Sequence, residues 1–190
     1  MIILIMFGPP GSGKGTQSKM LCEKYNLSHI STGDIFRKEM SEGTELGKKV
    51  KDIVDRGELV PDELLIAIIR KAIKQNADKN GYIFDGFPRT VRQAEDFDKL
   101  MVELGLSLST VLRLKVTDEE IIRRLSLRAE LEGRKDDTIE VITNRLNVYR
   151  EKTMPLLDYY REQNKMIEIN GIGKMESIFE LLSSKVNAFL

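Results

Sequence analysis

The sequence has little of the chemistry that many enzyme classes need. A single cysteine, Cys22, excludes an internal disulfide and any zinc site built from several cysteines. The one histidine, His29, falls in a predicted strand and is left out of any catalytic set, and the sequence shows neither a Ser-His-Asp set nor a Cys-His pair. Lys+Arg and Asp+Glu both number 30, so no basic excess marks a nucleic-acid surface. A site for polyphosphate must therefore be a local concentration of cations.

Long apolar runs are also missing. No stretch approaches 18 apolar residues, so the sequence predicts no helix that crosses a membrane. The apolar start is too short for a secretion signal, and we expect a cytoplasmic protein. The 190 residues favour one domain that buries about 70% of its unfolded surface. A charged content of 32% is typical of a highly charged globular protein.

A glycine-rich turn near the start carries the clearest signal. The apolar run 2–7 predicts a short buried strand, and the residues from about 15 to 25 predict a helix. Between them lies Gly8-Pro9-Pro10-Gly11-Ser12-Gly13-Lys14-Gly15-Thr16. This arrangement is typical of a phosphate-binding loop, because glycines let backbone N–H groups approach a phosphate and the helix start adds donors. Gly15 stands where the general motif has Ser or Thr, so an ordinary strand-to-helix turn is the alternative.

The remaining pattern alternates strands and helices. Further strands are predicted at residues 28–32, 81–85, 109–116 and 166–169, and further helices at 35–41, 45–56, 62–76, 91–104, 118–131, 138–162 and 176–189. Gly57 is expected just after one helix, and Asp62 is expected to cap the next. Five apolar strands separated by helices predict an α/β fold of the P-loop NTPase type, with a five-stranded parallel sheet and helices on both faces. The turns after the first and third strands should then face one cleft.

Arginines are the second signal. Six lie next to turns or at the edges of apolar helix faces: Arg37, Arg89, Arg124, Arg128, Arg134 and Arg145. Arg124 and Arg128 share one helix face, where two like charges near a core edge repel each other unless an anion lies between them. Solvated helix charges are the alternative for each arginine alone. Clustered arginines favour phosphoryl transfer, in which positioning and cationic stabilisation do most of the work.

Asp85 ends an apolar strand, the place from which an acid holds Mg²⁺ through its water shell. The alternative is an aspartate that opens a turn. No catalytic base stands out in the sequence. A phosphate loop with these charges fits a kinase or an ATP-binding switch, and the residues alone leave both open.

Several motifs occur together and in order. They are the glycine-rich loop with Gln17, Ser31-Thr32-Gly33-Asp34, Leu59-Val60-Pro61-Asp62, Asp85-Gly86-Phe87-Pro88-Arg89-Thr90, Gln93-Ala94-Glu95, and Gly133-Arg134 with Asp136-Asp137. This set resembles the adenylate kinase family over essentially the whole chain, in its short-lid form. The resemblance implies the reaction ATP + AMP ⇌ 2 ADP with Mg²⁺ and without zinc. It also implies two mobile insertions on the core, one at residues 31–60 over AMP and a short lid at 127–137.

The resemblance also implies a role for each matching residue. Gly11, Ser12, Gly13, Lys14, Gly15 and Thr16 would hold the ATP phosphates, with Arg128 and Gly173 near the ATP base. Thr32, Glu58, Leu59, Val60, Gly86, Phe87, Pro88 and Gln93 would contact AMP, and Arg37 and Arg89 would hold its phosphate. The catalytic set would be Lys14, Arg89, Arg124, Arg128, Arg134 and Arg145, with Arg134 and Arg145 also on the AMP side. Thr16 and Asp85 would lie near hydrated Mg²⁺ without a direct protein ligand.

The identity of the acceptor depends on few residues. Thr32 and Gln93 resemble the adenylate type, while a UMP or CMP kinase of the same fold is the alternative. A switch that binds ATP without an acceptor is a second alternative. The expected partners are ATP, AMP and ADP, with no nucleic acid, no membrane and a monomeric protein.

Overall fold

The computed structural model describes residues 1–132 and 138–190, and of Glu132 only the backbone. The strands are β1 (Ile2–Phe7), β2 (Ser28–Ser31), β3 (Gly81–Asp85), β4 (Thr110–Lys115) and β5 (Met166–Asn170). The α-helices are α1 (Lys14–Tyr25), α2 (Thr32–Ser41), α3 (Glu45–Asp55), α4 (Asp62–Gln75), α5 (Val91–Glu103), α6 (Asp118–Glu132), α7 (Ile139–Val148), α8 (Leu156–Glu162) and α9 (Met175–Val186). None of the helices in these two ranges is long and apolar enough to cross a membrane.

The five strands form one parallel sheet in the order β2-β3-β1-β4-β5. Every residue of β1 is buried, because this central strand has a neighbour on each side and a covered face above and below. Its side chains alternate between two cores. Those of Ile3, Ile5 and Phe7 enter the core that includes α4 and α5, and those of Ile2, Leu4 and Met6 enter the core that includes α1 and α9. The predicted α/β fold with helices on both faces is therefore confirmed.

The prediction of one helix over residues 138–162 was wrong. The segment is divided into α7, a π-helical turn (Tyr149–Thr153) and α8. Pro155 explains the division, because its ring nitrogen cannot donate to a carbonyl one turn earlier and its ring crowds that carbonyl. The preceding turn widens, and the amide of Met154 donates to the carbonyl oxygen of Tyr149 over 2.9 Å.

Two helix starts also differ from their predictions. Helix α2 begins at Thr32 rather than at Ile35, because the Ser31 hydroxyl accepts from the Asp34 amide over 3.2 Å and caps an earlier turn. Asp62 was expected to cap α4, but the capping position is Pro61 and Asp62 is the first helical residue. The carboxylate of Asp62 is thereby available to another partner. The expected position of Gly57 after α3 is confirmed by its left-handed φ of 71°.

Candidate active site

The carboxyl ends of three strands meet at one cavity of about 570 Å³. Phe7 of β1, Ser31 of β2 and Asp85 of β3 line it, and α6 and α7 supply its far wall. As expected, the glycine-rich turn and the turn after β3 face the same cleft. The lining includes these residues singled out in the sequence: Gly11, Gly13, Lys14, Gly15, Thr16, Arg37, Leu59, Asp85, Gly86, Phe87, Pro88, Arg89, Arg124, Arg128 and Arg145.

The glycine-rich turn leads directly into α1. Gly13 has a φ of 93°, a left-handed conformation that glycine adopts without strain, and no side chain in the described part of the chain caps the helix after it. Gly11 packs closely against α6, since a Cβ at this position would lie 2.8 Å from Cγ of Leu125. The uncapped helix start leaves backbone N–H groups and the positive helix end available to an anion.

Lys14 folds back onto its own loop. Its ammonium donates to the carbonyl oxygens of Gly8 over 2.8 Å and Pro9 over 2.9 Å, and it lies 3.4 Å from the Ser12 hydroxyl oxygen. The pKa of Lys14 is lowered to about 8, chiefly by burial and also by the positive charges of Arg89, Arg145 and Arg128, while Asp85 opposes the shift. A buried ammonium among other cations is stabilised when an anion binds beside it.

Arg89 shares this electrostatic condition. Its Nε donates to the carbonyl oxygen of Gly86 over 2.7 Å. Burial lowers the pKa of the Arg89 guanidinium, Asp85 opposes this, and the neighbouring Arg37 adds to the lowering. Arg37 itself forms an ion pair with Asp34, which the sequence analysis named in a motif but gave no role. This part of the cleft therefore holds two close guanidinium groups, one of which is paired with Asp34.

Arg124 has three partners that connect separate elements. Its Nε donates to Glu120 over 2.7 Å, and its two terminal nitrogens donate to the carbonyl oxygens of Ser12 over 3.2 Å and Gly171 over 2.9 Å. It thus fastens α6 to the phosphate loop and to the loop after β5. Arg128 and Arg145 line the cleft and lie close enough to Lys14 to affect its pKa. Arg134, Asp136 and Asp137 lie outside the described residues.

Asp85 has a position suited to a hydrated cation. Its Oδ2 would lie 3.4 Å from a Cβ at Gly15, so a side chain at this position would be in van der Waals contact with the carboxylate. His29, set aside in the sequence, has Nε2 at 3.6 Å from the same oxygen. Among the described residues, no three His, Cys, Asp or Glu side chains converge as metal ligands. One carboxylate beside a phosphate loop fits Mg²⁺, which keeps several waters and takes other ligands from phosphates.

Some predicted contact residues are not among the residues that line the cavity: Ser12, Thr32, Glu58, Val60, Gln93 and Gly173. The hydroxyl of Thr32 donates to the carbonyl oxygen of Gly86 over 3.0 Å, so it supports the wall from behind. Glu58 is exposed and paired with Arg56. Gln93 is fully buried and hydrogen-bonded at both ends of its carboxamide.

The π-helical turn supplies residues that the sequence analysis missed. Tyr149 and Thr153 line the cleft, and the Tyr149 ring packs against Phe7 with 5.9 Å between ring centroids. The signal was Pro155, which predicts an interruption in the preceding turn. The widened turn places the phenol beside the end of β1, where an unbroken helix was expected.

Comparison with known proteins gives a consistent result. The family model described as adenylate kinase matches residues 6–165. The adenylate kinase of Bacteroides thetaiotaomicron is 48% identical over 179 residues, which cover 94% of this chain and 95% of that protein. The one from Parabacteroides distasonis is 46% identical over 187 residues, covering 98% of each. The one from Methanothrix thermoacetophila is 43% identical, covering 98% of this chain and 99% of that protein.

Proposed function

This chain belongs to the adenylate kinase family and is a nucleotide-binding phosphotransferase, and we propose that its cleft transfers the γ-phosphoryl group of ATP to AMP in the presence of Mg²⁺. Each forward turnover consumes one ATP and one AMP and releases two ADP. The reaction breaks the bond between the γ-phosphorus and its bridging oxygen and forms a bond from the same phosphorus to an AMP phosphate oxygen. The reverse reaction uses the same groups.

One observation carries the proposal. Lys14 lies among Arg89, Arg128 and Arg145 at the carboxyl end of the sheet, with Asp85 as the opposing acid in its field. A loose phosphoryl-transfer transition state spreads negative charge over the transferred oxygens, and fixed cations on several sides stabilise it. A cleft with this charge would repel a cationic reacting group, whereas the phosphates of two nucleotides neutralise it.

On the donor side, Gly11 to Thr16 present backbone N–H groups to the ATP phosphates. Lys14 leaves its own loop carbonyls and follows the γ-phosphoryl group. Arg128 and Gly173 lie on the side of the ATP base. Thr16 and Asp85 would hold hydrated Mg²⁺, and the ion would neutralise part of the phosphate charge.

On the acceptor side, Arg37 and Arg89 clamp the AMP phosphate. Paired guanidinium groups suit a phosphate because each offers parallel N–H donors. Arg145 and Arg134 complete the acceptor site, and Arg124 keeps the phosphate loop in place behind the donor. Base and ribose are assigned to the part of the cleft lined by Leu59, Gly86, Phe87 and Pro88. Thr32, Glu58, Val60 and Gln93 do not line the cleft in this structure and would contact AMP once it binds.

No proton acceptor is required, because the attacking AMP phosphate is already ionised. The risk is water, which competes with AMP for the γ-phosphoryl group. We assign its exclusion to two segments that close on the core, residues 31–60 and residues 127–137. Within the first, α2 and α3 move as one unit, since a Cβ at Gly47 would lie 2.2 Å from the carbonyl oxygen of Glu39. The proposed enzyme acts as a monomer in the cytoplasm, without nucleic acid or zinc.

The test is ADP formation from ATP with each of AMP, CMP, UMP and GMP, with and without Mg²⁺. ADP that forms fastest with AMP and only with Mg²⁺ supports the proposal. A preference for CMP or UMP would keep the transfer chemistry and replace the acceptor. Slow ATP hydrolysis that ignores every monophosphate would overturn the two-substrate assignment.

A further inference from the structure

Gln93 is held at both ends of its carboxamide. Its Oε1 accepts from the backbone N–H of Arg89 over 2.7 Å, and its Nε2 donates to Oδ1 of Asp62 over 2.7 Å. The residue has no exposed surface. Three elements therefore meet in one chain of hydrogen bonds: the first turn of α4, the first turn of α5 and the loop after β3.

The two partners permit only one orientation of the carboxamide. A backbone N–H can only donate, and an ionised carboxylate can only accept. If the amide rotated by 180°, its NH₂ would face the Arg89 N–H and its oxygen would face the Asp62 carboxylate. Arg92 has Nε at 3.8 Å from Oδ2 of Asp62, so the second carboxylate oxygen faces a guanidinium. The positions of oxygen and nitrogen in Gln93 are thus fixed by its partners.

The fixed amide can still accept one hydrogen bond and donate one. Oε1 keeps one lone pair and Nε2 keeps one N–H. Side by side, they complement a base edge that offers an amino hydrogen next to an unprotonated ring nitrogen. Adenine and cytosine have that edge. Hypoxanthine, guanine and uracil have the opposite one, a carbonyl oxygen next to a ring N–H.

We propose that Asp62 is a positioning residue that fixes the polarity of Gln93, so that the acceptor site selects amino-type bases and rejects keto-type bases. The inference rests on the proposed function, in which Gln93 contacts the acceptor base, and it adds the residue that sets the base class. The carboxamide is covered in this structure, so the proposal requires that nucleotide binding uncovers it. Asp62 itself does not contact the nucleotide.

The experiment compares AMP with IMP, which replaces the amino group and the adjacent ring nitrogen by a carbonyl oxygen and an N–H. Wild type, Asp62→Ala and Asp62→Asn are assayed for ATP consumption with each acceptor, and the KM for ATP is measured separately. We expect the AMP-to-IMP ratio of kcat/KM to fall about tenfold or more in Asp62→Ala, because the lost hydrogen bond involves a charged acceptor. Asp62→Asn restores an acceptor oxygen and should recover part of the ratio, and the KM for ATP should stay within about twofold.

Glu63→Ala is the matched control. Glu63 is exposed and also lies in the first turn of α4, so its removal tests the loss of a negative charge at the positive helix end without touching Gln93. An unchanged ratio in folded Asp62→Ala, or an equal fall in Glu63→Ala, overturns the inference. If Asp62→Ala does not fold, Asp62→Ser carries the same test, since its short side chain cannot reach Nε2. If wild type is inactive with AMP, the proposed function itself is refuted. If wild type is active and the AMP-to-IMP ratio of kcat/KM does not change in Asp62→Ala, only the role of Asp62 is refuted.

Discussion

Gly57 lies directly against the side chain of Arg145: a Cβ added at Gly57 would be 2.6 Å from Cγ of Arg145. Next to this contact, the side-chain amide of Asn144 donates to the carbonyl oxygen of Arg56 over 2.6 Å. The end of α3 thus packs on α7. The segment proposed to cover AMP therefore positions Arg145. Arg145 depends on a glycine distant from it in sequence.

The first prediction concerns this contact. Gly57→Ala should lower phosphoryl transfer with AMP at least about tenfold, because the new methyl group displaces the stem of the Arg145 guanidinium, which we propose contacts phosphate. It should also cost about 1 kcal/mol of unfolding free energy, since alanine is strained at a φ of 71°. Steady-state kinetics and urea denaturation measure the two effects.

Gly43→Ala provides the control for Gly57→Ala. Gly43 has a similar φ of 64°, and no described atom lies within 4 Å of a Cβ added there. The control should show the same loss of stability with near-normal turnover. Equal kinetic losses in both variants would show that backbone strain, and not the displacement of Arg145, is responsible.

The second prediction concerns the connection made by Arg124. Arg124→Lys should reduce kcat/KM for ATP at least about tenfold, because a single ammonium cannot reach Glu120, Ser12 and Gly171 together. Arg123→Lys is the comparison, since Arg123 pairs with the same Glu120 but is exposed. Similar losses for the two variants would contradict a role for Arg124 in holding the phosphate loop.

The third prediction separates donor from acceptor. Arg89→Ala should lower turnover with AMP about 100-fold or more, while ATP affinity changes less than about threefold, because only the acceptor phosphate loses its clamp. Calorimetry with a non-hydrolysable ATP analogue measures the affinity. Arg70→Ala removes an equal charge from a surface pair with Glu103 and should leave both quantities unchanged. A large loss of ATP affinity in Arg89→Ala would place Arg89 on the donor side.

The fourth prediction follows from the lowered pKa of Lys14. With a pKa of about 8 in the empty protein, the side chain is largely neutral near pH 9, and bound phosphate raises the pKa. Binding at pH 9 should therefore take up close to one proton, and ATP affinity should fall as the pH rises above about 8. Calorimetry in buffers of different ionisation enthalpy counts the protons. Lys14→Arg stays charged and should abolish this uptake; an uptake that persists would assign it to another group.

Lys14 also links pH to stability. Its folded pKa of about 8 lies below the reference value of 10.5, so between these values the unfolded state binds the extra proton. The free energy of unfolding contributed by this residue should therefore rise with pH across that interval. The difference in unfolding free energy between wild type and Lys14→Arg isolates the contribution of Lys14, because the tyrosines titrate alike in both proteins. A difference that is constant from pH 7.5 to 10.5 would show that the folded protein does not lower this pKa.

Local sequence patterns predicted most of the fold. The sequence of β1 has no alternation of apolar and polar residues that would distinguish its two faces. Its wholly apolar run therefore indicated a strand covered on both sides, as found. The start of α2 was misplaced and the break before Pro155 was missed for local reasons, a serine cap and a proline whose effect reaches back one turn. Both signals were present in the sequence, and both act over a few residues.

The sequence by itself determined the parallel sheet, the phosphate loop and the identities of the clustered cations, because glycine spacing, apolar periodicity and charge are properties of the chain. Only the tertiary structure decided which strands end at the same cleft and that Arg124 donates to the backbone of the glycine-rich loop. It also placed Gln93 between Asp62 and Arg89. These contacts join residues distant in sequence. Their directions depend on how helices pack on the sheet, and the burial that lowers the pKa of Lys14 exists only once they have packed.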